Sequence, residues 1–426
     1  MLTEKETLRI SRRLALAGAL TLGVTASGLM PGLAQAQDTI KMGGLATLEG
    51  AFTVLGEDSM RGLKLALQEV NYTVAGKKIE LVTGSSDASP DSAVKATRKL
   101  VEQDGVQVLI GPLSGSEGIA VKDYAKTQPK VTFLNGSSAA QDTTLFDPAP
   151  NFFRFSTDGV QWMAGLGEYV YKVKGYKKVA TVAEDYSFPY SQVEGFMIPF
   201  CKLGGKVTHK AWVPIGNKDF SSVIAALPDD VDAIYVALGG ADAINFLTQY
   251  EQAGGSLPLI GGSITVDQTV LGSKGQLRKQ VLGTPAAGPT ADTWDNPLWT
   301  NFVAEYKKAY PDGFPYPSLF AHAYYVNTKA ALLALAKVNG DLSDGGVKFR
   351  EALSTLKFDT PTGPVSLDHN RNGIANIFVT EVSEGPNGAL VNKVVKVATD
   401  VNQTLGEPEA EFLKIGPASR DNPSCK

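Results

Sequence analysis

Two turns in this chain carry the residue types that hold a small anion. Leu113-Ser114-Gly115-Ser116-Glu117 and Asn135-Gly136-Ser137-Ser138-Ala139 close the short apolar runs VQVLIGP and VTFLNG. Small residues leave backbone N–H groups open and hydroxyls add donors, so such turns at strand ends can bind a carboxylate. Ser114 and Glu117 fit a Ser-x-x-Glu capping box for the helix that follows, which leaves Gly115 and Ser116 as the better ligand candidates. Farther along, EDYSFPYS (Glu184–Ser191) closes a β-branched run. There Asp185 and three aromatics, Tyr186, Phe188 and Tyr190, cluster around Pro189 in a turn and read as the lining of a cleft. The chemistry on offer is non-covalent: a grip on an acid group and apolar contact with its body.

Other chemistries find little support. His209, His322 and His369 are scattered, with no second His or Cys at helical spacing, so no metal site is expected. Ser114 lies in GPLSGSEG, not in a Gly-x-Ser-x-Gly elbow. No phosphate-binding glycine loop follows a strand, so no nucleotide cofactor is expected either, and the protein does not read as an enzyme. Forty Lys+Arg against 44 Asp+Glu give a net charge of -4, which argues against a nucleic-acid partner. Cys201 and Cys425 show no pairing pattern, and neither a disulfide scaffold nor a Cys-based metal site follows from them.

The elements that must position these turns alternate between strand and helix. Runs at Ile40–Ala46, Ile79–Ser86, Val106–Pro112 and Val131–Gly136 read as strands, with helices over Asp58–Asn71, from Pro90, and around Glu117–Lys126. After Phe152–Thr157 the alternation restarts, with strands at Val179–Asp185, Lys206–Val213, Val231–Leu238, Leu257–Ser263 and Val281–Pro289. Two long helices near Asn296–Tyr310 and Ser318–Val338 could complete either half. The stretch from Thr362 reads as antiparallel strands around a Gly/Asn turn. The pattern is that of α/β lobes built on wound sheets, and 426 residues with 43% apolar and 20% charged residues supply ample core for two of them.

The first 36 residues read as an export signal. Ser11-Arg12-Arg13 precedes an uncharged stretch, Leu14 to Met30; Pro31 and Gly32 break it, and Ala34-Gln35-Ala36 offers a cleavage site after Ala36. The paired arginines fit a twin-arginine signal; the alternative is a Sec signal that happens to carry them. Without Arg12, Arg13, Lys5, Arg9, Glu4 and Glu6 the net charge becomes -6. No cysteine near the cut offers a lipid anchor and no later segment reads as a membrane span, so a periplasmic protein without a membrane anchor is expected.

From about Ile40 to Val397 the chain resembles the leucine/isoleucine/valine-binding branch of type I periplasmic solute-binding proteins of ABC transporters. The resemblance rests on LATLEGAFTVLGEDSMRGLKLALQEVN, VQVLIGPLSGSEGIAV, VTFLNGSSAA, NFFRFSTDG, VATVAEDYSFPYS, VDAIYVALGGADAINFLTQYEQAG and TGPVSLDHNRNG in that order. It implies two Rossmann-like lobes joined by a three-strand hinge near Phe155–Asp158, Ala286–Thr290 and Thr362–Pro364. Residues 37–157 plus 290–362 would form the first lobe, 158–289 plus 363–400 the second, and 401–426 a flexible tail. The ligand carboxylate would meet Gly115, Ser116, Ser137, Ser138 and Ala139, with Asp185, Tyr186, Tyr190 and Ser263 facing it from the second lobe. Two positions depart from the pattern: Leu55 stands where an aromatic is common, and Ser263 where an acidic residue usually meets the ligand ammonium. A buried ammonium without a counter-charge is costly, although Asp185, Asp242 or Asp267 could substitute. The implied ligand is therefore a small carboxylate with an apolar or aromatic body; the alternative is a branched-chain or other hydrophobic amino acid. The implied partners are a membrane permease and its ATPases, the protein acting as a monomer. A sensory ligand-binding role is the remaining alternative.

Overall fold

The computed structural model of the protein describes residues 39–273 and 278–425; the expected export signal, residues 1–36, lies outside the described residues. Strands β1 (Thr39–Thr47), β2 (Thr73–Val74), β3 (Lys77–Ser86), β4 (Val108–Ile110), β5 (Thr132–Leu134) and β6 (Phe152–Phe153) form one sheet in the order β2-β3-β1-β4-β5-β6. Apart from the β2–β3 hairpin every pair is parallel; Met42 of β1, for example, stands between Leu81 and Val108. The short strand β4 shows why its sequence is apolar throughout. Val108 and Ile110 face the helices Thr53–Glu69 and Leu319–Lys337, whereas Leu109 faces Pro90–Arg98 and Gly115–Ala125. A strand covered on both faces has no polar side to show.

The second sheet holds β7 (Lys178–Glu184), β8 (Lys206–Val213), β9 (Ala233–Ala237), β10 (Leu259–Gly261), β11 (Pro285–Gly288), β12 (Phe358–Thr360), β13 (Gly363–Leu367), β14 (Gly373–Glu384) and β15 (Leu390–Val401). Its order is β12-β13-β14-β11-β10-β9-β7-β8, with β15 on β14. Strands β7 to β11 pair in parallel, and β12 to β15 add the antiparallel part. Helix Ser187–Lys202 covers one face through Val193, Phe196, Met197 and Phe200, and helix Gly240–Gln252 covers the other through Phe246, Leu247 and Tyr250. The run Val281–Pro289 is not one strand. A helical turn ends at Val281, Gly283 takes φ +77, and only Pro285–Gly288 joins the sheet.

The two long helices left open by their pattern, Pro297–Ala309 and Leu319–Lys337, pack against the first sheet and its helix Thr53–Glu69. Gly62 permits the contact: a Cβ there would stand 1.9 Å from the Ala321 carbonyl oxygen. Buried Asp58 fastens it, accepting from Ser318 N at 3.1 Å, from the Tyr306 and Ser318 hydroxyls and from Arg61. The helix Leu319–Lys337 is thereby held with its first turn toward the second sheet, where Leu319 N donates to Asp267 at 2.8 Å.

The chain's last residues are pinned, contrary to the expectation of a flexible tail from 401. Cys201 and Cys425 form a disulfide with a Cα–Cα separation of 5.2 Å. Lys210 Nζ donates to the Pro423 carbonyl at 2.6 Å, Gln403 Nε2 to Asp158 at 2.8 Å, and Arg420 pairs with Asp185. A pairing across 224 positions leaves no spacing signature, because only the fold brings the two cysteines together. Closing so long a loop restricts the unfolded chain, an effect worth about 2–4 kcal/mol. Reducing the disulfide, or making Cys201→Ser/Cys425→Ser, should lower the calorimetric melting temperature and make the last residues the first to be cut by protease. An unchanged melting temperature would contradict this.

Candidate functional site

Between the two sheets lies a small, tight cavity lined by Leu55, Leu113, Ser114, Gly115, Ser137, Trp162, Tyr186, Phe188, Ile264 and Phe320. Six of these ten are large and apolar, and Tyr186 adds a seventh ring or chain with one polar end. Trp162 stands edge-on to Phe188 at 5.5 Å, and Tyr186 packs between Phe52 and Phe188 at 6.2 and 6.1 Å. Such walls suit a flat apolar body.

Three long helices begin at this cavity: Gly115–Ala125 brings Ser114 and Gly115, Ser187–Lys202 brings Phe188, and Leu319–Lys337 brings Phe320. Helix N-termini present unpaired N–H groups and partial positive charge. At the first helix Ser114 is the N-cap of a complete capping box: its Oγ accepts from Glu117 N, and Glu117 Oε2 accepts from Ser114 N at 2.8 Å. Ser114 Oγ also donates to the Ala88 carbonyl at 3.0 Å. Among the described residues the amides of Gly115 and Ser116 find no hydrogen-bond acceptor. Among the described residues no Lys or Arg lines the cavity. The arrangement favours an anion held by amides and dipoles rather than by a salt bridge.

The site is shut. Ser116 Oγ and Ser187 Oγ meet at 3.0 Å across the gap, and a Cβ on Gly115 would stand 2.8 Å from Phe188 N. Gly240 meets Leu55 in the same way at 3.0 Å.

Of the nine residues singled out from sequence, the cavity brings together Gly115, Ser137 and Tyr186, with Ser116 at its rim. Ser138 packs over Gly118, and Ala139 is buried against Gly159. Ser263 sits beside the lining residue Ile264, but its hydroxyl and amide are both bonded to Gln192, at 3.1 and 3.0 Å. Asp185 and Tyr190 face away. EDYSFPYS is not a turn, because the helix starts at Ser187; successive residues therefore point to different sides. Phe188 turns inward, while Tyr190 stacks edge-on to Trp212 at 4.9 Å and bonds Asp185, which Arg420 also holds. Trp162, Ile264 and Phe320 line the cavity with no local signature; only a chain path that folds a distant helix start onto the turns reveals them.

The other acids proposed as counter-charges are engaged elsewhere. Asp242 accepts from Gly216 N at 2.7 Å, and Asp267 caps Thr269 N and accepts from Leu319 N. Burial pushes both carboxyls up to about 6. His322, also fully buried, is pushed down to about 3 by desolvation and touches Thr362. It is a neutral structural residue, and among the described residues no His, Cys, Asp and Glu cluster could hold a metal.

Beside the passage between the sheets, carboxyls crowd a single guanidinium. Arg154, fully buried, reaches Asn372 Oδ1 and the Ala140 carbonyl at 2.6 Å each and Asp158 at 3.5 Å. Among the described residues Glu194 has no hydrogen-bond partner at either oxygen; burial first, then Asp142 and Asp158, raises it to about 8. An acid raised in the folded state stabilises that state below its unfolded value, and the gain is lost as pH rises through the folded value. The melting temperature should therefore fall between about pH 5 and about pH 9, and Glu194→Gln should flatten that fall. A profile identical in both proteins would contradict the assignment.

A family model described as periplasmic binding protein matches residues 39–388. The chain belongs to this family. The Leu/Ile/Val-binding protein homolog 6 of Brucella melitensis biotype 1 is 25% identical over 365 residues, covering 84% of this chain and 91% of that one. A solute-binding protein of an ABC transporter from Rhodopseudomonas palustris BisB5, solved in complex with 3,4-dihydroxy benzoic acid, is 27% identical with a TM-score of 0.79. The alignment covers 86% of this chain and 99% of that one. An ABC transporter substrate-binding protein from Sphaerobacter thermophilus is also 27% identical, with a TM-score of 0.77 over the same shares. As in these periplasmic binding proteins, two α/β lobes face each other here, and the cavity lies where they meet.

Proposed function

We propose that this periplasmic binding protein captures a small carboxylate with an apolar or aromatic body and delivers it to an ABC permease. The observation that carries this is the cavity itself: apolar and aromatic walls, three helix starts, and two free amides, with no cationic side chain in the lining. The carboxylate would take the amides of Gly115 and Ser116 and the Ser137 hydroxyl, and the body would lie against Trp162, Phe188, Ile264 and Phe320. Burying a ring of roughly 150–250 Å² at about 25 cal/mol per Å² is worth around 4–6 kcal/mol. A helix N-terminus adds about 0.3–2 kcal/mol. Apolar contact thus supplies most of the affinity, and the amides set the orientation.

Capture works by closure. The lobes, 37–157 plus 290–362 and 158–289 plus 363–400, move about the segments near 155–158, 286–290 and 362–364. Ligand contacts made only in the closed form draw the population toward it. Export is supported by the disulfide, which persists in an oxidising compartment. Calorimetric titration of the purified chain with benzoate and with leucine tests the ligand class: benzoate binding with none for leucine is expected, and the reverse overturns it.

A further inference from the structure

Glu184, the last residue of β7, is fully buried and bonded at one oxygen only. Its Oε1 accepts from Gly239 N at 3.0 Å, and among the described residues its Oε2 has no partner. Gly239, which bonds its other oxygen, and Tyr186 place Glu184 next to the second-lobe wall of the cavity. Gly239 packs on Ile264, to which a Cβ would stand at 2.9 Å, and Gly240 packs on Leu55; both Ile264 and Leu55 line the cavity. Tyr186, another lining residue, lies within the field of Glu184 first, then of Glu117 and Asp242. The free amides of Gly115 and Ser116 belong to the first lobe. An acid group held there leaves its body extending toward Ile264 and Tyr186, the lining residues beside Glu184.

We propose that Glu184 is a specificity-determining residue whose free oxygen bonds a hydroxyl carried on the body of the bound acid. This rests on the reading of the ligand as a small carboxylate with an aromatic body. The protonation of Glu184 decides between a hydroxyl and an ammonium. The groups facing it are the Gly239 amide, Asp242 and Tyr186, with no cation, and burial raises its carboxyl well above the ordinary range. A neutral carboxyl is no counter-charge for an ammonium. It can, however, donate to a hydroxyl oxygen, and once ionised it can accept from the same hydroxyl, so a hydroxyl suits both states. A site with an unpaired buried polar group rejects ligands that leave it unpaired.

The test is calorimetric titration of the exported chain with benzoate, 3-hydroxybenzoate, 4-hydroxybenzoate, 4-methylbenzoate and leucine. Wild type should bind one hydroxybenzoate roughly 10- to 100-fold more tightly than benzoate or the methyl compound. Glu184→Met and Glu184→Leu should erase that preference while retaining benzoate, and Glu184→Gln, which keeps the bond from Gly239, should restore part of it. Equal binding of the hydroxylated and unsubstituted acids by wild type overturns the inference while leaving the ligand class standing, as does a preference that survives in Glu184→Met. If neither apolar variant folds, the wild-type ratio decides, a ratio near one overturning it. Leucine binding with no aromatic acid bound overturns the ligand class itself.

Discussion

Gly115→Val should cripple ligand capture while leaving the protein folded. Gly115 is the first residue of the helix Gly115–Ala125 and has no positive φ, so a branched residue is compatible with the backbone. What the new side chain cannot tolerate is closure: its Cβ would stand 2.8 Å from both Cβ and N of Phe188 and 3.0 Å from the Ser187 hydroxyl. The Phe188 N and Cβ belong to the start of a helix in the other lobe and cannot rotate away. Overpacking of this kind costs about 1–3 kcal/mol, charged entirely against the closed form. Affinity should therefore fall roughly ten- to hundredfold, with the melting temperature of the ligand-free protein little changed. Titration calorimetry and thermal unfolding of the same sample separate the two. Normal affinity would mean that the ligand is held without the contact between residues 115 and 188.

Arg154→Leu should be the most damaging single change to stability. The guanidinium is fully buried and bonded to Asn372, Ala140 and Thr144, with Asp158 at 3.5 Å. Asp158 also accepts from Gln161 N at 2.9 Å and from Gln403, so the cluster ties the segment leaving the first sheet to the end of the chain. Burial lowers Arg154 only to about 10, so it stays charged near neutral pH. Removing it leaves buried Asp158 without its cation, and breaking a buried pair in this way costs about 3–5 kcal/mol. Urea unfolding should show the midpoint falling accordingly. Arg154→Lys should recover little, because an ammonium cannot reach the several acceptors that the planar fork spans. A midpoint within error of wild type would show that the cluster is neutralised by protonation alone.

The alternation of β-branched runs and amphipathic stretches made the two lobes legible, because burial on both faces leaves a strand such as Val108–Ile110 no polar position. The capping box at Ser114 and Glu117 was equally readable, since its partners are three residues apart. Direction and distance are not legible in the same way. EDYSFPYS reads as a turn at a cleft, whereas the helix beginning at Ser187 sends Asp185 and Tyr190 outward. Trp162 and Phe320 were silent because their place in the wall depends on where the chain crosses between sheets. The disulfide was silent for the same reason. Burial of Glu184 and Glu194 without cations also lies beyond any local pattern, since each is surrounded by residues from other elements.

Trp162, one of four tryptophans, lines the cavity and reports on its contents directly. Its indole N–H is already satisfied by Thr157 at 2.8 Å, so a ligand would act on the ring face and not on that bond. Emission should change on titration with a benzoate-type acid. Trp162→Phe should abolish the change while calorimetry still detects binding. A response to leucine alone, or an unaltered response in Trp162→Phe, would contradict the claim that an aromatic acid is held between the two sheets.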